Sequence, residues 1–136
     1  MLRTSSAFGL TVLLAAALLG CKKDSAAPQP ACYSGTVVAT TCRLGVLVNV
    51  DPAFSIGAPA YSVYDNRFWG NNVVAVANAG GLGNLSRVGQ RLYFTYTSAS
   101  ANSGAACLAA DGTTTPVPFG LFSNISTQSC DSVLAR

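Results

Sequence analysis

The 136-residue chain contains no histidine and no glutamate, and only 10% of its residues are charged. Each lack removes a kind of chemistry. Without histidine there is no Ser-His-Asp or Cys-His catalysis, and no imidazole to hold a metal. The only lysines are Lys22 and Lys23, near the start, so no lysine further along can act as nucleophile or general base. The acids are Asp24, Asp51, Asp65, Asp111 and Asp131, and no aspartate-rich run supplies the clustered oxygens that calcium needs. The last four stand in turn-like contexts: Asp51-Pro52, Asp65-Asn66, Asp111-Gly112 and Asp131-Ser132. Aspartate at such places shapes turns, so a small hydrolase working through an aspartate pair is the least supported reading. No cofactor and no metal are expected.

Charge of one sign is also scarce. From residue 32 onward, Arg43, Arg67, Arg87, Arg91 and Arg136 stand against Asp51, Asp65, Asp111 and Asp131, a net charge of +1. Nucleic-acid binding needs basic residues clustered on one face, so no nucleic-acid partner is expected. Gly80-Gly81-Leu82-Gly83 lacks the Gly-Lys-Ser/Thr ending of a phosphate loop and reads as a plain inter-strand loop.

What the chain does have begins with an address. Residues 1–6 carry Arg3, and residues 7–19 (AFGLTVLLAAALL) form a short apolar run. That layout is a secretory signal peptide. The run is too short to span a bilayer, which takes about 20 apolar residues, and no later segment is long or apolar enough. It ends in Leu18-Leu19-Gly20-Cys21, which resembles the lipobox of bacterial lipoproteins. The resemblance implies cleavage before Cys21, diacylglycerol on its thiol and acylation (palmitate) of the new amino terminus. Such an anchor is durable, at about 0.8 kcal/mol per buried methylene. Lys22, where an aspartate would favour inner-membrane retention, implies the outer membrane, and Lys22-Lys23-Asp24 resembles the charged tether of surface-exposed lipoproteins. Residues 25–31 (SAAPQPA) read as a flexible, extended tether. The expected organisation is a signal peptide over 1–20, a lipidated cysteine and tether over 21–31, and a domain over 32–136.

The domain holds Cys32, Cys42, Cys107 and Cys130. An even count in an exported domain predicts two disulfides, with three pairings open; no close CxxC pair supports zinc. Apolar, β-branched or alternating runs predict strands over 35–41, 46–50, 72–77, 90–97 and 118–125. Residues 54–71, 79–83 and 98–115 read as irregular connections. No window after the leader has sustained helical periodicity. The expectation is all-β: a small five-stranded barrel, with a two-sheet sandwich as the alternative.

The succession of Cys32, strand, turn, Cys42, strand, long loop, strand, Val88-Gly89-Gln90-Arg91-Leu92-Tyr93-Phe94-Thr95-Tyr96, Cys107 and Cys130 resembles a group of small four-cysteine lipoproteins of Gram-negative bacteria with an OB-like barrel. The chain departs from a full OB pattern in its long 54–71 stretch and in lacking a helix between the third and fourth strands. The resemblance implies a fold and no activity. In that topology the first and fifth strands run parallel, which implies pairing of Cys42 with Cys130 and of Cys32 with Cys107.

One local feature points to a ligand. Tyr61, Tyr64, Phe68 and Trp69 surround Asp65, Asn66 and Arg67 in the connection between the second and third barrel strands. Flat apolar rings beside polar orienting groups suit a carbohydrate or peptide, and OB barrels bind on that side. The plainer reading is that these rings close the barrel mouth and complete the core. An exposed Trp69 favours the first and a buried Trp69 the second. The functional expectation is an outer-membrane-anchored lipoprotein with a non-enzymatic accessory or binding role, facing either the periplasm or the cell surface. The alternatives are a glycan- or peptide-binding lipoprotein using residues 61–69, and, behind it, a small envelope hydrolase. The expected partners are the membrane, through the lipid, and a glycan or protein.

Overall fold

The structure is a computed structural model that describes residues 32–101, 107 and 111–135. The expected signal peptide, Cys21 and the expected tether lie outside the described residues. Six strands follow one another: β1 (Tyr33–Thr41), β2 (Gly45–Val50), β3 (Ala58–Tyr61), β4 (Phe68–Val76), β5 (Arg91–Ala99) and β6 (Phe119–Ser126), then a short helix α1 (Cys130–Leu134). β2 pairs with both β1 and β4, and β5 with both β1 and β6, while β4 and β6 close the circuit as a parallel pair. The result is the all-β, closed five-stranded OB-like barrel, in the order β1-β2-β4-β6-β5.

Alternation along the strands fills the interior. Val46, Val48 and Val50 of β2, Val74 and Val76 of β4, Leu92 and Phe94 of β5, and Phe122 of β6 are buried in one cluster with Tyr33 and Val37 of β1. Phe94 and Phe122 stack with ring centroids 3.8 Å apart. Gly120 exists for a ring: a Cβ there would lie 2.2 Å from Cε2 of Tyr96. The β4–β6 ladder spans only Ala75 opposite Phe119 and Val76 opposite Gly120. The Asn78 side chain then extends it, donating to the Phe122 carbonyl at 2.7 Å and accepting from the Phe122 N–H at 3.0 Å.

Two connections differ from the sequence reading. The stretch 54–71 is not wholly irregular: it contains β3 and the start of β4, joined as a hairpin. Pro59 sits in β3 at a register shift, between the paired Ala58 and Ala60, where the missing N–H costs no ladder bond. The glycine-rich connection after β4 forms two short 3-10 turns within Ala79–Ser86, broken by a kink at Gly83, and buries Leu82 in the position where the OB pattern has its helix.

The disulfides are Cys32–Cys130 and Cys42–Cys107. This corrects the pairing implied by the resemblance, Cys42 with Cys130 and Cys32 with Cys107. The reason is stagger. Tyr33 stands opposite Phe94 of β5, and the neighbouring Tyr93 stands opposite Ser126 of β6. The beginning of β1 is therefore level with the end of β6. Parallel direction does not place two strand ends at one rim when the barrel is sheared.

Candidate functional site

The outward faces of β2 and β4 carry a second apolar cluster. Leu47, Ala60, Val73 and Ala75 are fully buried there with Ala39 and Val117, and Leu44, Trp69 and Phe119 pack against them. The segment leading into β6 runs along the edge of β3 and supplies Val117. The N–H of Thr114 donates to the Tyr61 carbonyl at 3.0 Å, and the Thr115 hydroxyl donates to the Pro59 carbonyl at 2.8 Å. Cys42–Cys107 and the Asp111 carboxylate, which accepts the N–H groups of Cys42 and Arg43, join this segment to the β1–β2 turn.

Further along the same two strands the surface opens into a groove of about 370 Å³. Asn49 and Val50 at the end of β2, Pro52, Ser55 and Gly57 of the following loop, and Phe68, Gly70, Asn71 and Asn72 of β4 line it. Gly70, at φ 154°, makes room for its neighbour: a Cβ there would lie 2.3 Å from the Asn49 side chain. Asn72, 8% exposed, builds one wall. Its Oδ1 accepts the Gly57 N–H at 2.6 Å, and its Nδ2 donates to the carbonyls of Val50, Asp51 and Phe54. Its backbone N–H donates to Oδ1 of Asn49 at 3.2 Å. One amide thus holds loop 51–57 against the strand.

Among the described residues no ionisable side chain lines the groove. Asp51, the nearest acid in sequence, is engaged by a two-pronged Arg91 guanidinium, with Nη1 2.7 Å from Oδ1, and by the Ser34 hydroxyl. The Arg91 hydrogen bonds hold the Asp51 carboxyl below its ordinary range, and the same contact raises Arg91. Asp65 is also lowered, first by the Ser62 hydroxyl and then by the Arg67 N–H. Asp131 sits in the first turn of α1, which Ser129 caps. Among the described residues no three acidic, cysteine or histidine side chains gather into a metal-binding group.

The aromatic residues singled out by the sequence part company. Phe68, 47% exposed, lines the groove, and the Tyr61 ring packs on it at 4.9 Å. Tyr64, 89% exposed, stands with Asp65 and Arg67 at the tip of the β3–β4 hairpin. Trp69 points to the apolar cluster instead; it is half-buried, and its Nε1 has no hydrogen-bond partner among the described residues. The sequence reading missed Asn49, Ser55, Asn71 and Asn72. For the three asparagines the signal was their place inside strand-forming runs, Val48-Asn49-Val50 and Asn71-Asn72-Val73, where that residue is disfavoured without a reason; Ser55, in a loop, carried none.

A scan of the chain against models of known protein families gives no match, and a search of curated proteins finds none that matches.

Proposed function

We propose that the chain is an outer-membrane-anchored lipoprotein with a non-enzymatic binding role, and that its ligand is a carbohydrate held in the groove beside Phe68. The lipobox-like Leu18-Leu19-Gly20-Cys21 and the following lysines support the anchor. One observation carries the ligand: a half-exposed Phe68 ring, backed by Tyr61, borders a groove whose polar lining is amide and hydroxyl. A sugar presents an apolar C–H face to such a ring and hydroxyls to the amide and hydroxyl groups left open beside it. Calorimetric titration with oligosaccharides tests the reading. Phe68→Ala is expected to weaken binding at least tenfold while circular dichroism stays unchanged. Binding that survives this substitution would overturn the assignment.

A further inference from the structure

We infer that the groove selects uncharged sugar units over acidic ones; the inference rests on the carbohydrate reading and narrows it. The polar atoms divide into those already used and those left open. Asn72 has its side-chain oxygen and nitrogen both occupied by backbone partners of loop 51–57, so it is a positioning residue. Asn49 accepts from Asn72 through Oδ1 only, and its Nδ2 donates to no group among the described residues. The exposed side chains of Asn71 and Ser55 likewise make no hydrogen bond among the described residues. Three neutral groups, on two strands and a loop, therefore face the groove with hydrogen-bonding capacity unfilled.

Among the described residues no charged side chain lines the groove. Asp51, the acid nearest the groove in sequence, is matched by Arg91, whose two Nη atoms are both turned onto it. Asp51 in turn gives one oxygen to Ser34 as well. The pair is neutral as a unit before any ligand arrives. A carboxylate or sulfate brought into the groove would give up water and meet no opposite charge among the described lining side chains, which is unfavourable. A hydroxyl would exchange water for an amide at little loss. The groove's volume of about 370 Å³ lies at the small end of small-molecule sites, so it fits a short stretch of sugar.

The test is calorimetry on the lipidated protein in detergent and on a soluble form starting at residue 22. The probes are cellotetraose, maltotetraose, chitotetraose, tetragalacturonate and tetra-alanine, at low and at physiological salt. The expected result is that a neutral tetrasaccharide binds with a Kd unchanged by salt within about twofold. Tetragalacturonate should bind at least tenfold more weakly, and Asn71→Ala should weaken the neutral sugar at least fivefold. Tetragalacturonate binding more tightly, with an affinity that falls as salt rises, would overturn the inference and leave the carbohydrate reading standing. Binding of tetra-alanine alone, or of none of the probes, would overturn both.

Discussion

Asp51 begins loop 51–57 and Asn72 holds that loop from β4, and both use their polar atoms on the protein itself. For Asp51 the pH consequence has a definite sign. Its folded carboxyl is held below its ordinary value, so the stabilisation is fully present above about pH 4 and fades as pH falls through the depressed folded value. The Arg91 and Asp51 side chains are 43% and 30% exposed, which limits such a pair to roughly 0.2–1 kcal/mol. Asp51→Asn is expected to lower stability by about 0.5 kcal/mol at neutral pH, and the difference should vanish near pH 2. Urea denaturation at both pH values measures it; a loss of equal size in acid would mean that the ion pair is not its source. The sequence shows Asp51 before Pro52 and reads it as a turn aspartate. Its partner Arg91 is 40 residues away, and no local pattern connects the two.

At the scale of elements, the barrel strands were legible because their burial is simple. Leu92, Phe94 and Tyr96 alternate with Tyr93, Thr95 and Thr97, and the first three pack on the core. β3 was not legible: four residues, one of them proline, form no alternating pattern, and the strand exists because β4 offers it an edge. The groove shares this difficulty. Phe68 could be picked out as an aromatic in a loop, but its asparagine neighbours acquire a role only when β2 and β4 pair. The outer cluster around Trp69 depends on the segment that Cys42–Cys107 ties to the β1–β2 turn. Cys42→Ser with Cys107→Ser is expected to cost about 2–4 kcal/mol, the range for a long closed loop. It should also shift the emission of Trp69, the sole tryptophan, to longer wavelength as the cluster loosens. Fluorescence and chemical denaturation of the variant check this; an unshifted spectrum would show that packing alone keeps the cluster closed.

Over the whole molecule, direction of strands was readable and stagger was not, which is why the cross-links differ from the pairing that the OB pattern implies. Strand direction follows from the order of hairpins. Stagger depends on which residue faces which, as with Tyr33 opposite Phe94 and Tyr93 opposite Ser126. The proposed anchor has its own test at this scale: Cys21→Ser is expected to move the protein from the membrane to the soluble fraction, followed by fractionation and labelling with radioactive palmitate. Among the described residues no helix is long and apolar enough to cross a membrane. The Cys32–Cys130 bond spans 98 positions of sequence and joins the first residue before β1 to the first turn of α1. Its consequence is mechanical. A tug on the chain just ahead of residue 32, opposed at the far terminus, passes through the sulfur bridge and bypasses every strand between. Under such a load β1 is spared from being peeled out of the sheet, and the force runs along a covalent strut instead of through the strands.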